Sequence, residues 1–380
     1  MGPLDEIASE QARTEIAARI TEIWTETIGR AYVDEHSDFY QEGGSHSLAP
    51  GMIRKINRSL GVELTEFDLE QARTIAKVTD AVYFQQTRAD SSTVVPLRNF
   101  QGSRPPLFLV HGVGGNVLGF YSLAERLENS QPVYGIQAQA LIPGKDAVLR
   151  LEKMAAQYID DMRAACPEGP YHLLGFSFGG LVAFEIAQQM HASGLKVGLV
   201  GMLDTRQPSL MHEPQLLGSF HSRLYRRLRE IYRHTYTRND RRRYLLGRVR
   251  ARLRSFSYSI ALRKGLEEAV SAPRDVKEIN HTAGVNYNLR PYPGRVTLFR
   301  AEEDHPMVKP LPLDLGWSSF AHSLAIKHIP GDHGGILYDP GLSILAAELT
   351  GTLEDANAAF DEAVPLEQAA QNTGRIVMEL

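Results

Sequence analysis

The six residues Gly175-Phe176-Ser177-Phe178-Gly179-Gly180 constrain this chain more than anything else in it. They follow an apolar run, His172-Leu173-Leu174, and precede Leu181 to Met190, whose apolar spacing is helical. A serine with a glycine two residues before and two residues after it, a strand in front and a helix behind, describes a turn so sharp that the flanking positions must lack bulk. Such a turn projects its serine from the carboxyl edge of a sheet, with the positive end of a helix beneath it. Ser177 is therefore a candidate nucleophile. The competing reading is a tight glycine turn that holds an incidental serine.

The surroundings of the turn fit the first reading. From residue 107 onward, apolar strands alternate with helices, the pattern of a parallel sheet covered on both faces. The strand expectations are Leu107 to Val110, Val133 to Ile136, His172 to Leu174, Val197 to Leu203, Val296 to Phe299 and Ala325 to Ile329. Together with the serine turn they predict an α/β-hydrolase over residues 107–353. An insertion of about 70 residues, Gln207 to Val276, interrupts the pattern after a strand end and is expected to form a helical lid. A closing helix is expected past Leu349, and residues 354–380 read as a partly disordered tail.

An alcohol nucleophile is weak without an adjacent base and a carboxylate to orient that base. His333 is the expected base, because Pro330-Gly331-Asp332-His333-Gly334-Gly335 forms a loop directly after the last strand. His305 and His328 read as surface or structural histidines, and Asp332 as a loop former. Asp204 and Asp304 both stand at strand ends, and spacing alone does not choose between them. His111-Gly112-Val113-Gly114-Gly115 ends the first hydrolase strand, and such a glycine-rich loop lets backbone N–H groups approach a substrate carbonyl. The amides of Val113 and Phe178 are the oxyanion-hole candidates. A phosphate loop at residues 111–115 is disfavoured, since the lysine it requires does not follow.

The first ninety residues have a different texture. Ile16, Ile20, Ile23, Trp24 and Ile28 mark one face of an amphipathic helix, a second helix carries Met52, Ile53, Ile56 and Leu60, and a third surrounds Ile75 and Val78. A small three- or four-helix bundle over residues 8–86 is the expectation, joined to the hydrolase by residues 87–106, which contain one short β-like run and otherwise read as linker. Charge divides along the chain as well: residues 1–90 carry 16 acidic against 9 basic side chains, whereas Arg223 to Arg254 holds thirteen arginines against only Glu230 and Asp240. Arginines interleaved with Tyr225, Tyr232, Tyr236 and Tyr244 invite a nucleic-acid reading. The pI of about 6.4 and the helical spacing of Leu224, Leu228, Ile231, Leu245, Val249 and Leu253 favour a solvated face of lid helices instead. Cys166 is the only cysteine, so no intramolecular disulfide or cysteine-rich metal site can form. No apolar run approaches the roughly 18 residues that cross a bilayer, so the chain is expected to stay off the membrane, and its single cysteine fits a cytoplasmic, reducing setting.

These motifs resemble the thioesterase domain that terminates nonribosomal peptide and polyketide synthases. The resemblance rests on His111 to Gly115, Gly175 to Gly180, Met202-Leu203-Asp204-Thr205, Leu315-Gly316-Trp317 and Gly331-Asp332-His333, in that order. It implies Asp204 as the acid, with Asp304 in reserve, and a lid where Gln207 to Val276 lies. Residues 12–85 resemble the peptidyl or acyl carrier domain that precedes such thioesterases, through Trp24, Asp38-Phe39-Tyr40, Gly43-Gly44, Ser47-Leu48, Gly61 to Leu64 and Thr74-Ile75. That family attaches phosphopantetheine to the serine of a Gly-Gly-His-Ser-Leu sequence. Here Gly43-Gly44-Ser45-His46-Ser47-Leu48 has one residue more, which implies Ser47 as the attachment site and Ser45 as the reserve. The implied partners are upstream synthase modules, a phosphopantetheinyl transferase and the carrier-bound acyl or peptidyl thioester. The implied reaction is release of that chain by hydrolysis or cyclisation. A catalytically silent carrier-docking module and a free-standing esterase are the rival readings.

Overall fold

The computed structural model describes residues 3–62, 64, 68–69, 72–87, 92–97, 104–142, 145–212, 257, 260, 275–304 and 311–376. The chain divides into two compact units: of the described residues, one holds those up to Thr87 together with Ser257, and the other all those from Ser92 onward except Ser257.

In the N-terminal unit, helix α1 (Pro3–Ile28) turns Ile16, Ile20, Ile23 and Trp24 inward, matching the predicted stripe. Helix α2 (Ala49–Leu60) buries Met52, Ile53 and Ile56, carries Pro50 in its first turn and stops at Gly61, whose φ of 67° is the left-handed conformation that closes helices. Helix α3 (Ile75–Thr87) adds Ile75, Val78 and Val82. Trp24 is fully buried, with Phe39 edge-on to it at 5.0 Å between ring centroids. Burial of each such side chain contributes about 1.5–3 kcal/mol. Three helices of the expected bundle are described. Between α2 and α3, the described residues add only a helical pair at Asp68 and Leu69.

The larger unit is built on a seven-stranded sheet. Its strands are β1 (Val94–Pro96), β2 (Leu107–Val110), β3 (Val133–Ile136), β4 (Tyr171–Phe176), β5 (Val197–Leu203), β6 (Tyr292–Ala301) and β7 (Ala321–Ile329), in the order β1-β3-β2-β4-β5-β6-β7. All neighbours are parallel except β1, which pairs antiparallel with β3 through Val94↔Ile136 and Pro96↔Tyr134. The interrupting helices are α4 (Tyr121–Arg126), α5 (Leu151–Ala165), α6 (Phe178–Ala192), α7 (Pro208–His212), α8 (Val276–Val285) and α9 (Gly341–Ile376). The central strand β4 is buried along its whole length, and so is most of α6 on every side, including Leu181, Val182, Phe184 and Ile186, as the packed middle of an α/β sandwich requires.

The segment over residues 87–106, expected to be linker apart from one short β-like run, holds that run at Val94 to Pro96: Val94 and Val95 are buried in an edge strand, and the Thr93 hydroxyl donates to Asp161 Oδ2 at 2.5 Å. Two expectations need correction. The tail over residues 354–380, expected to be partly disordered, continues α9 as helix through Ile376. Strands β6 and β7 begin earlier than their apolar runs, because their first residues, among them Pro293, Arg295, His322 and Ser323, are polar or turn-forming and largely exposed. Of the expected lid, Gln207 to Val276, only residues 207–212, 257, 260, 275 and 276 are described, so the lid and its arginines between Arg223 and Arg254 lie outside the described residues.

Candidate active site

Ser177 sits between the last residue of β4 and the first of α6 with φ 55° and ψ −116°, a strained conformation for a residue that carries a Cβ. The surroundings enforce it. A methyl group on Gly175 would fall 2.0 Å from the Gly179 carbonyl oxygen, and one on Gly179 would fall 2.4 Å from the carbonyl oxygens of Val110 and His111. The turn is thus wedged against the end of β2. Ser177 N–H donates to the Leu203 carbonyl (2.9 Å), and the Thr205 hydroxyl donates to the Ser177 carbonyl (2.9 Å). Thr205 is pinned in turn by the Trp317 indole N–H, 2.7 Å from its carbonyl oxygen.

His333 follows β7 on a loop tied to the sheet by Glu303 N–H donating to the Gly331 carbonyl. Its Nε2 lies 3.0 Å from Ser177 Oγ and its Nδ1 lies 2.7 Å from Asp204 Oδ2, so Nδ1–H donates to the carboxylate and Nε2 is left to accept the serine proton. Phe176 stacks on the imidazole, with centroids 4.9 Å apart. Asp332 folds its own loop, accepting from Gly335 N–H at 2.7 Å.

Between the two acids left open by spacing, the geometry separates the roles. Asp204 directly follows β5, has φ 42° and is 3% exposed. Besides His333, its carboxylate accepts from Arg300 Nη1 (2.9 Å) and the Ala301 N–H (3.2 Å). Burial alone would raise the Asp204 pKa. The hydrogen bond and charge of His333, together with Arg300 and the Ala301 amide, outweigh it and hold the carboxyl below the usual aspartate range. Asp304 instead bonds the other arm of the Arg300 guanidinium and accepts from Leu311 N–H at 3.1 Å.

The loop after β2 lies beside the serine. His111 is fully buried, and burial pushes its pKa down to about 4, so the ring is neutral. Its Nδ1–H donates to the Gly112 carbonyl at 2.6 Å, and the Tyr158 hydroxyl lies 2.8 Å from Nε2. Gly112 packs so closely that a methyl group there would be 3.1 Å from the Phe176 ring. Among the described residues, the N–H groups of Val113 and Phe178 donate to no other group. Ser47 belongs to the other unit: it is exposed in the turn just before α2, and its Oγ is 2.7 Å from that of Ser45. At the start of α2 the N-cap position is Leu48, whose N–H donates to the Ser45 hydroxyl at 3.3 Å. His328 is exposed on β7, and His305 lies outside the described residues.

Residues 105–337 match the family model described as the thioesterase domain. The chain belongs to that family. The thioesterase is similar to malpinin synthetase of Mortierella alpina, with 38% identity over 198 residues that make up 52% of this chain and 2% of the relative. It is similar also to a dimodular nonribosomal peptide synthase of Bacillus subtilis (strain 168), with 35% identity over 177 residues, 47% of this chain and 7% of the relative. Among solved structures, a four-domain nonribosomal peptide synthetase bound to AMP and glycine aligns at TM-score 0.51 and 25% identity, covering 88% of this chain and 26% of that one. The thioesterase chain therefore spans a small part of the proteins it matches, and its domain is related to those of nonribosomal peptide synthetases.

Reading the sequence missed Arg300 as a partner of both acids, because the apolar run that marks β6 ends one residue earlier, at Phe299. A charged residue closing a buried strand was the available signal. Among the described residues, no group of acidic, histidine or cysteine side chains could hold a metal ion, and no helix is long and apolar enough to cross a membrane.

Proposed function

We propose that this thioesterase releases an acyl or peptidyl chain from a phosphopantetheine carrier through a seryl acyl-enzyme, with Ser177 as nucleophile, His333 as base and Asp204 as the acid that orients it. The observation that carries this reading is the unbroken line of hydrogen bonds from Ser177 Oγ through His333 to Asp204. As Ser177 Oγ attacks the thioester carbon, its proton passes to His333 Nε2, and the imidazolium that forms is stabilised by Asp204. The charge that develops on the carbonyl oxygen is met by the Val113 and Phe178 N–H groups, each donor of this kind being worth roughly 3 kcal/mol of barrier. When the carbon–sulfur bond breaks, His333 returns the proton to the departing thiolate. In the second half, water or a hydroxyl or amine of the bound chain gives a proton to His333 and attacks the ester carbon, and as the ester bond breaks His333 passes that proton to Ser177 Oγ. Water yields the acid, an internal nucleophile the ring.

The N-terminal unit is proposed as the carrier, with Ser47 as the attachment point. The exposed Ser47 hydroxyl, in a turn open to a modifying enzyme, fits such a group. Phosphopantetheine supplies a terminal thiol that carries the acyl chain as a thioester. Transferase and upstream modules are the partners this role requires, and cytoplasmic synthesis the setting.

A fluorophosphonate that reacts with activated serines is expected to label the chain once, at Ser177, and to leave Ser177→Ala unlabelled and inactive on a short acyl thioester. Labelling or turnover that survives in folded Ser177→Ala removes the nucleophile assignment. For the carrier, incubation with coenzyme A and a phosphopantetheinyl transferase should add one phosphopantetheine by intact mass and none to Ser47→Ala. Equal modification of both moves the site elsewhere.

A further inference from the structure

Helix α8 touches both sides of the proposed oxyanion hole. Gly284 packs on Phe178, leaving only 3.2 Å between a methyl group placed there and the Phe178 ring. At its other end, Val276 lies against Gly115, where a methyl would fall 2.6 Å from its Cγ1. Between these contacts stands Asn280, fully buried, whose Nδ2–H donates to the Val113 carbonyl at 3.0 Å.

We infer that Asn280 is a positioning residue for the oxyanion hole, holding the Val113 N–H at the angle that meets the carbonyl oxygen. The inference rests on the function proposed above. An N–H direction is fixed by its peptide plane, and the planes on either side of a residue turn about only φ and ψ. The plane before Val113 is held through the Gly112 carbonyl by His111, and the plane after it through the Val113 carbonyl by Asn280. Gly114 adds no side chain to restrain the turn, and the next backbone ties come only at Gly115, whose N–H donates to the Gly112 carbonyl (3.0 Å) and whose carbonyl accepts from the Ala138 N–H (2.7 Å). Asn280 is the only side chain among the described residues that tethers that second carbonyl. Its Oδ1, buried as well, has no partner among the described residues, an arrangement that stability alone would not favour.

The test uses the whole chain and a short acyl thioester. Asn280→Leu keeps the side chain's shape but removes the donor. Its kcat should fall about 10- to 100-fold, less than loss of the donor itself would cause, with KM within about twofold. The inhibition constant of an alkyl trifluoromethyl ketone, whose serine adduct carries an oxyanion, should rise by the same factor. The pH profile should keep its midpoint, since His333 and Asp204 are untouched. Asp275→Ala is the control for helix integrity: it removes the cap of α8, where Asp275 accepts from the N–H groups of Lys277 and Glu278, without reaching Val113. It should lower melting temperature and leave kcat in place. Wild-type kcat and inhibition in Asn280→Leu, while Ser177→Ala is dead, overturns the inference and leaves the proposed function standing. Equal loss of kcat in Asp275→Ala overturns it too, by assigning the effect to the helix as a whole. An active Ser177→Ala removes the underlying reading instead.

Discussion

Two serines carry the two halves of the proposed chemistry, and their surroundings have little in common. Ser47 lies exposed before α2, its Oγ 2.7 Å from that of Ser45. Ser177 is held by its own N–H and carbonyl, by Thr205 and, through Thr205, by Trp317, with three glycines around it that accept no side chain. A serine that another enzyme must reach needs exposure and little else. One that attacks an ester or thioester must be fixed against its base and the oxyanion donors, and small displacements are expensive there. The contrast also explains why one serine was fixed by the sequence text and the other was left between two positions.

The largest effect that can break this contrast lies in the acid. Asp204→Asn disturbs the tautomer of His333 and should lower kcat about 10⁴-fold on a short thioester. Asp304→Asn, which touches Arg300 and not His333, should keep most of the turnover. A reversal of the two outcomes would exchange the roles. The next effect, on the order of 3 kcal/mol, concerns His111, whose folded pKa near 4 lies below the unfolded value of 6.5. Between those values the unfolded chain binds the additional proton, so stability contributed by neutral His111 is complete above pH 6.5 and is lost as pH falls toward 4. Melting curves of the larger unit should drop across that window, and His111→Asn should flatten the drop. An unchanged slope would show that the buried imidazole does not set it.

Smaller still is the expected difference between two glycines. Gly180→Ala drives a methyl group to within 2.0 Å of Thr205 Oγ1 and should destabilise the larger unit by about 1–3 kcal/mol. Gly51→Ala, inside α2 with no atom within 4 Å of the added methyl, should stabilise the smaller unit by roughly 0.5–1 kcal/mol. Native-state hydrogen exchange, read separately for β4–α6 and for α2, measures both. Comparable tolerance at the two positions would erase the distinction between a turn built without slack and a helix that still has some.

Ser177 and His333 were legible because their local geometry is demanding: few sequences besides a glycine-flanked serine can make that turn, and a histidine loop directly after the last strand has few other places to go. Asp204 and Asp304 were not separable by spacing, since both end strands, and what divides them is that Asp204 meets His333 as well as Arg300 whereas Asp304 meets the other arm of Arg300. The strand order was legible only as a class. That Val94 to Pro96 would pair with β3 at the sheet's edge depends on a contact between segments some forty residues apart, and three residues between Ser- and Pro-rich stretches carry too little periodicity to reveal it. The helical continuation of α9 was missed for the same reason, its apolar spacing fading after Leu353.

The chain has two tryptophans, and each unit buries one of them completely. Trp24 keeps its indole N–H without a partner among the described residues, whereas that of Trp317 is bonded to Thr205, one residue removed from Ser177 by hydrogen bonding. The molecule therefore carries two optical reporters in chemically unlike settings. Emission from Trp317, read in a Trp24→Phe variant, should register acylation of Ser177 in real time, and a Trp317→Phe variant reads the smaller unit alone.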